Sequence, residues 1–241
     1  MSTISADARV ASLVLDVPAR ARVFERFGID YCCGGGVPLA EACAERGLLL
    51  EEVVTALADP GPGDVDDVDW SSASVAELVD HIVESHHGYL RQELPLLSAL
   101  ADKVARAHGE AHPELYEVHA TFVHVAAELT GHMAKEELVL FPACLGLAEG
   151  EEPAGPGSVA APIQAMLHEH DEVAAGLRAL RTLTGGYEAP AGACNSYRAL
   201  LDRLETLERD THRHVHEENN VLFPRAVALE ATVDGASLPA A

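Results

Sequence analysis

Basic residues are scarce in this chain of 241 residues. Lys and Arg together number 16 against 39 Asp and Glu, which gives a formal net charge of −23 with histidine neutral. Such a negative surface argues against binding to nucleic acid or to an anionic membrane surface. This charge is sufficient to explain solubility. The alternative interpretation is a surface that attracts a basic partner or metal cations.

Long apolar runs are also missing. No stretch reaches the roughly 20 apolar residues of a transmembrane helix, and the N-terminus, with Asp7, Arg9 and Asp16, has no apolar signal-peptide region. The five cysteines are an odd number and two are adjacent, which is not the pattern of a disulfide framework. We therefore expect a cytoplasmic protein without a membrane segment.

Strand-like alternation of apolar and polar residues is absent as well, so an all-α fold is predicted. Breaks rich in Gly and Pro separate four long predicted helices. These helices span about 75–107, 113–146, 159–184 and 193–229.

The domain boundaries are predicted from the same breaks. Residues 1–58 are predicted to form a small helical domain that contains the two adjacent cysteines. Residues 59–73 are rich in Pro, Gly and Asp without apolar periodicity, which is typical of a linker. The four long helices form a predicted domain at 74–230, and 231–241 is predicted to be a flexible tail.

One motif occurs twice in the long helices. His132 and Glu136 are four residues apart and are followed by Leu-Phe-Pro, and the same pattern returns 82 positions later at His214 and Glu218. Residues four apart lie on one face of a helix, so each pair can offer an imidazole nitrogen and a carboxylate to one point. A single such pair is common on solvated helices, but two copies with matching tails indicate an internal repeat.

Each copy of the motif has a further histidine upstream. His87 lies 45 positions before His132, and His170 lies 44 before His214. This separation is about the length of one long helix, a turn and part of the next helix. Two helical hairpins with three ligands each would form a four-helix bundle with six ligands in its core.

Helical periodicity places these six residues on apolar stripes. In the second long helix the apolar positions from Leu115 to Leu129 are spaced by three and four, and the count continues to His132 and Glu136. The same count in the other helices reaches the remaining candidates: His87, His170, His214 and Glu218. Their histidine neighbours point elsewhere and are predicted to be exposed or at the rim: His86, His168, His212 and His216.

Two ionised glutamates in an apolar core require compensation, and no Lys or Arg lies beside them on the stripes. Metal cations would provide it. Four imidazoles and two carboxylates suit iron, manganese or zinc, and six ligands exceed the needs of one tetrahedral zinc. Two metals, each with two histidines and sharing Glu136 and Glu218 as bridges, use every ligand, and iron is the leading choice.

The adjacent Cys32 and Cys33 precede three glycines and a helix predicted to start at Pro38. A glycine-rich backbone allows close approach, and a nearby helix N-terminus would lower a thiol pKa. We expect a reactive pair for redox exchange, metal capture or contact with a client protein, with simple packing as the alternative. The other cysteines are predicted to be structural or neutral: Cys43, Cys144 and Cys194.

Five stretches together resemble the iron–sulfur cluster repair di-iron proteins, also called repair of iron centres. They are DYCCGGG at 30–36, HHGYLRQELP at 86–95, HMAKEELVLFP at 132–142, EHDE at 169–172 and HEENNVLFPRA at 216–226. The resemblance implies a hemerythrin-like four-helix bundle preceded by a small helical double-cysteine domain. It also implies two iron ions in a non-haem centre, oxo-bridged when oxidised, with four terminal histidines and two bridging glutamates, the six residues already selected.

The resemblance further implies a role in restoring iron–sulfur clusters damaged by nitric oxide or oxidants. The partners would be damaged iron–sulfur proteins, with nitric oxide or dioxygen as a small ligand. The centre could donate iron, or it could bind and reduce nitric oxide. Cys32 and Cys33 would act in redox exchange or transfer, while Glu128 and, as a weaker candidate, Glu169 would line access to the metals.

Two other functions remain open. A hemerythrin-like module could sense or bind oxygen, nitric oxide or redox state without repair activity, although dioxygen carriers use more histidines. An oxidase- or peroxidase-like di-iron enzyme is disfavoured, because the ferritin-like class uses Glu-x-x-His spacing. The double-cysteine domain favours repair over sensing, and its predicted linker would permit a homodimer.

Overall fold

The structure is a computed structural model that describes residues 4–61, 68–151 and 158–236. Its α-helices are α1 (Val10–Asp16), α2 (Ala21–Phe27), α3 (Leu39–Glu45), α4 (Leu50–Ala58), α5 (Val75–His81), α6 (Gly88–His108), α7 (Glu114–Lys135), α8 (Phe141–Ala148), α9 (Ala160–Leu183), α10 (Asn195–Glu217) and α11 (Phe223–Ala236). Short 3₁₀ turns occupy Pro18–Arg20 and Trp70–Ser72. Over these ranges the only extended pairing is one bridge between Arg9 and Pro38, so the all-α prediction is confirmed. No helix in them is both long and apolar enough to cross a membrane.

The chain divides into two compact units. The first contains residues 1–74 with 212–224, and the second contains 75–211 with 225–241. The predicted domain boundaries stay a prediction. The predicted linker falls partly, at 62–67, outside the described residues, as does the end of the predicted tail.

In the first unit, helices α1 to α4 bury a small apolar core. Gly28 ends α2 in the left-handed conformation, with a φ of 64°, and its N–H donates to the carbonyls of Phe24 and Glu25. The chain then turns inward, so Tyr31 is buried and its hydroxyl donates to Glu25 at 3.0 Å. This core includes Val10, Leu13, Val14, Phe24, Ile29, Leu39, Val53 and Leu57.

In the second unit, α6, α7, α9 and α10 pack around one apolar core, which confirms a helical bundle. Residues of α7 that the periodicity predicted to face inward are all buried: Leu115, Val118, Phe122, Val125 and Leu129. Helices α7 and α9 approach closely at Gly176, where an added Cβ would lie 2.4 Å from a methyl of Val125. A larger residue there would force the two helices apart.

Three π-helical turns interrupt the long helices, and the sequence analysis did not predict them. They are Ile82–His87, Glu136–Leu140 and Glu218–Leu222. Each includes a candidate ligand at one end. A π turn inserts one extra residue, which changes the face that the following or preceding residues occupy. Accordingly Ile82 is buried ahead of His87, and Leu140 rather than Val139 is buried after Glu136.

Candidate metal centre

Three candidate ligands in the second unit converge at the end of α7. The Nε2 atom of His132 lies 3.1 Å from Oε1 of Glu136 and 3.0 Å from Nε2 of His170 on α9. All three side chains are buried, and each offers a ligand atom within 4.8 Å of the others. Two imidazole nitrogens and a carboxylate oxygen directed at one point form a donor set suited to a transition metal.

A fourth candidate ligand approaches the other oxygen of Glu136. The Nε2 atom of His87 lies 3.3 Å from Oε2, so the two carboxylate oxygens face different histidines. Glu136 is fully buried, and among the described residues neither of its oxygens accepts a hydrogen bond. A buried carboxylate in this state costs free energy that a cation at each oxygen would offset. The residues therefore fit a carboxylate that bridges two metal ions.

His132 is oriented by a carboxylate outside the ligand cluster. Its Nδ1 donates to Oε2 of Glu169 at 3.1 Å, and Lys135 donates to Oε1 of the same carboxylate at 2.5 Å. Burial acts to raise the pKa of Glu169, but the hydrogen bonds from Lys135 and His132 outweigh it and lower the pKa. With its proton held on Nδ1, His132 directs the Nε2 lone pair toward the cluster.

His87 has the same arrangement on the opposite side. Its Nδ1 donates to Oε1 of Glu137 at 2.6 Å, and Arg91 also donates to that carboxylate. The ring of His87 stacks on Phe141, with centroids 5.7 Å apart, which fixes its plane. We refer to His87, His132, Glu136 and His170 as the bundle centre.

The second copy of the motif lies in the first unit. His214 Nε2 is 2.9 Å from Glu218 Oε1, and both side chains are fully buried. The pair has the same four-residue spacing as His132 and Glu136, and in both copies the glutamate opens a π turn. The two copies of the repeat therefore share their local geometry.

The prediction that the neighbouring histidines are exposed or at the rim was wrong at two positions. His86 is buried, because the π turn before Gly88 brings it inward and its Nδ1 lies 2.9 Å from Asp210. His216 is buried because its Nδ1 donates to the Tyr31 carbonyl at 3.1 Å. Burial lowers the pKa of His216, and this hydrogen bond only partly opposes that effect. The other two neighbours are exposed or half-buried, as predicted: His168 and His212.

The outer carboxylates differ from those predicted. Glu128 is half-exposed, with Oε1 3.9 Å from His124 Nδ1, and its access role stays a prediction. Glu169, the weaker candidate, contacts His132 directly. Glu137 was not predicted at all. The available signal was its position beside Glu136, since metal-binding histidines commonly donate their second N–H to a carboxylate.

Cys32 and Cys33 lie in a turn of the first unit, residues 30–36, which we call the cysteine turn. Both thiols are free; Cys32 is buried and Cys33 half-buried, with their sulfurs 3.9 Å apart. Oδ1 of Asp30 accepts both cysteine N–H groups at 3.0 Å and the Cys32 thiol at 3.3 Å. Burial acts to raise the pKa of Asp30, but hydrogen bonds from Gly34 and Cys32 outweigh this effect, so the pKa is lowered.

The expectation of a lowered thiol pKa was wrong for Cys32. Its hydrogen bond to Cys33, its burial and the negative charge of Asp30 together raise the pKa well above the ordinary value. The charged group in contact with the Cys32 thiol is the carboxylate of Asp30. Of the remaining cysteines, Cys43 and Cys144 are buried, whereas Cys194 is exposed.

Comparisons with known proteins agree with this geometry. The family described as "Hemerythrin HHE cation binding domain" matches residues 78–226, and the ScdA_N domain, described as of unknown function, matches 6–60. The "Probable iron-sulfur cluster repair protein" of Haemophilus influenzae is 35% identical over 92% of this chain and 97% of its own. The "Iron-sulfur cluster repair protein YtfE" of Escherichia coli is 36% identical over 93% and 98%. The corresponding ScdA protein of Staphylococcus haemolyticus is 32% identical over 91% and 98%.

Proposed function

This chain belongs to the family of iron–sulfur cluster repair proteins with a hemerythrin HHE cation binding domain, and from that premise we propose that it repairs damaged clusters through a non-haem di-iron centre. The observation that carries the proposal is the position of Glu136. Its two buried oxygens face two different histidines, which is the arrangement that a carboxylate bridging two metal ions requires.

We assign six ligands to this centre. Four belong to the bundle centre, and the internal repeat supplies His214 and Glu218, which have the spacing and burial of His132 and Glu136. The assignment makes the four histidines terminal ligands and the two glutamates bridges. Nitrogen and oxygen donors without thiolate suit iron among the first-row metals.

Around such a centre, the protein residues would fix the orientation of the histidine ligands and the positions of their ring protons. Glu137 and Glu169 keep the protons of His87 and His132 on Nδ1, so each Nε2 stays available as a donor. Arg91 and Lys135 donate to these two outer carboxylates. The buried surroundings exclude bulk water from the ligand atoms and strengthen these electrostatic interactions.

Iron donation is the activity that the ligand chemistry supports best. When bound, ferrous iron held by imidazole and carboxylate is held less tightly than by the thiolates and sulfides of a cluster. The bundle would therefore release iron toward a damaged iron–sulfur protein in the cytoplasm. The names of the relatives favour such repair over a purely sensory role.

Nitric oxide reduction is a second candidate, favoured by the bridging geometry of Glu136. The histidines that face Glu136 would hold two iron ions, and that pair would supply the two-electron chemistry that nitric oxide reduction needs. Two nitric oxide molecules, two electrons and two protons would yield nitrous oxide and water. Regeneration would require an external electron donor.

A repair assay separates these activities. A [4Fe–4S] hydratase inactivated by nitric oxide would be incubated with the protein loaded with ⁵⁷Fe. Recovered hydratase activity, with ⁵⁷Fe in the repaired cluster, is the result expected for donation, whereas nitrous oxide production would indicate reduction. Glu136→Gln should abolish either activity, and Glu172→Gln, which changes an exposed carboxylate, is the control. Repair by Glu136→Gln at the wild-type rate would refute the role of the centre.

A further inference from the structure

We propose that the cysteine turn is a second metal site, which binds one divalent first-row cation through Asp30, Cys32 and Cys33. Neither the hemerythrin domain nor the proposed bundle ligands include these residues. The site lies in the first unit and uses sulfur, so it can be tested whether or not the bundle holds iron.

The spacing of the donor atoms fits one ion. Metal–sulfur bonds of about 2.3 Å at a tetrahedral angle place two sulfurs about 3.8 Å apart. The sulfurs of Cys32 and Cys33 are separated by 3.9 Å. For one sulfur and one oxygen ligand the expected separation is about 3.6 Å, and Cys32 Sγ lies 3.3 Å from Asp30 Oδ1. Each of the three residues offers a donor within 4.8 Å of the others.

The turn is held in this form by contacts that do not depend on a metal. Asp30 fixes both cysteine N–H groups, while Asn219 and Asn220 donate to the Cys32 carbonyl at 3.4 and 3.3 Å. At Gly35 an added Cβ would lie 2.4 Å from the Tyr31 carbonyl oxygen and 2.7 Å from Ala11, so only glycine fits. The donors are therefore positioned before an ion arrives, which reduces the ordering cost of binding.

Two sulfurs and one carboxylate also define the class of ion. Thiolates favour ferrous iron, zinc and cobalt over magnesium or calcium. A divalent ion would displace the two thiol protons to solvent, so the bound cysteines act as thiolates. Three protein ligands leave a fourth position for water or a donor from another molecule. Cys33 is half-buried, so the site is open to solvent on that side. Such a site would hold an ion that can be exchanged.

Cobalt(II) is the probe, added to the full-length protein without prior loading with iron, because ferrous iron would compete for the same thiolates. Thiolate-to-cobalt charge transfer gives an intense near-ultraviolet absorption that imidazole and carboxylate ligands do not produce. We expect this absorption to saturate at about one cobalt per chain. Absence of the band at saturating cobalt would overturn the proposal, independently of any repair activity.

Substitutions then identify the ligands. Cys32→Ser and Cys33→Ser should each abolish the thiolate band, whereas Cys194→Ser, which changes an exposed thiol, should retain it. Because Cys33 is only half-buried, Cys33→Ser tests the site even if Cys32→Ser disturbs folding, which circular dichroism would detect. A band that persists in Cys33→Ser, or disappears in Cys194→Ser, would contradict the assignment.

Asp30→Asn tests the third ligand. The amide oxygen can still accept the cysteine N–H groups, so the turn is retained while the charge is removed. Cobalt affinity should fall by about tenfold or more if the carboxylate binds the ion. An affinity equal to that of the wild type would reduce Asp30 to a structural residue and refute the three-ligand site.

Discussion

The bundle centre and the cysteine turn both gather donor side chains, but they hold them by different means. In the bundle centre, rigid helices present nitrogen and oxygen ligands, and charged outer carboxylates orient the histidines. In the cysteine turn, backbone N–H groups converge on Asp30, and the donors are sulfur. The difference separates a site of nitrogen and oxygen donors on helices from a site of sulfur donors on a turn. This difference also explains why the ligands of the bundle centre could be predicted from residue spacing, whereas the geometry of the cysteine turn could not.

We expect the largest effect from Glu136→Gln, which tests whether a metal stabilises the buried carboxylate. Without metal, Glu136→Gln should stabilise the protein by about 1–3 kcal/mol, because it removes a buried carboxyl group that lacks hydrogen bonds. With metal, the same variant should be less stable than the wild type, since the bridge is lost. Thermal unfolding with and without a chelator measures both. A variant less stable in both states would indicate that Glu136 is a structural residue.

Two histidines on α9, one buried and one exposed, allow the ligand assignment to be tested within one helix. His170 is buried at the ligand cluster, while the side chain of His168, two residues earlier, is 75% exposed. His170→Ala should remove at least half of the bound metal, measured by elemental analysis after gel filtration. His168→Ala should leave metal content unchanged. Equal metal loss in the two variants would remove His170 from the ligand set.

The outer carboxylates should have an intermediate effect. Glu169→Gln weakens the orientation of His132 without removing a ligand, so metal affinity should fall about 10- to 100-fold. Glu172→Gln on the same helix changes an exposed carboxylate and is the control. Competition with a chelator of known affinity measures the difference. Unchanged affinity in Glu169→Gln would show that the hydrogen bond to Glu169 does not position His132.

The smallest expected effect concerns thiol reactivity in metal-free protein. Cys32 is buried and its pKa is raised, so its thiolate forms only at a pH above the ordinary cysteine range. Alkylation followed by mass spectrometry should modify the exposed Cys194 first and Cys32 slowly at neutral pH. Modification of Cys32 should accelerate as the pH rises. Rapid alkylation of Cys32 near neutral pH would contradict the hydrogen bonding described for the turn.

Sequence alone predicted the features that depend on local periodicity. The all-α fold, the long helices and the buried positions of α7 follow from apolar spacing, and His132 with Glu136 from the i, i+4 rule. It missed the three π turns, because regular periodicity assumes 3.6 residues per turn. It also missed the burial of His86 and His216, because their partners, Asp210 and Tyr31, are distant in sequence.

Deletion of residues 1–58 would test the role of the double-cysteine domain, and the sequence predicts loss of repair with a folded bundle. The structure favours a milder change for that purpose. Tyr31 and Cys32 accept hydrogen bonds from residues between 212 and 224, so deletion would also expose those residues. Substitution of the two cysteines tests the same role with less disturbance.

The most direct test of the central claim is the iron content of protein purified without added metal, combined with the absorption spectrum of its oxidised form. We expect about two irons per chain and an oxo-bridge charge-transfer band, both lost in Glu136→Gln. One zinc per chain, or a folded protein that binds no metal, would contradict the bridging role of Glu136 and the di-iron centre.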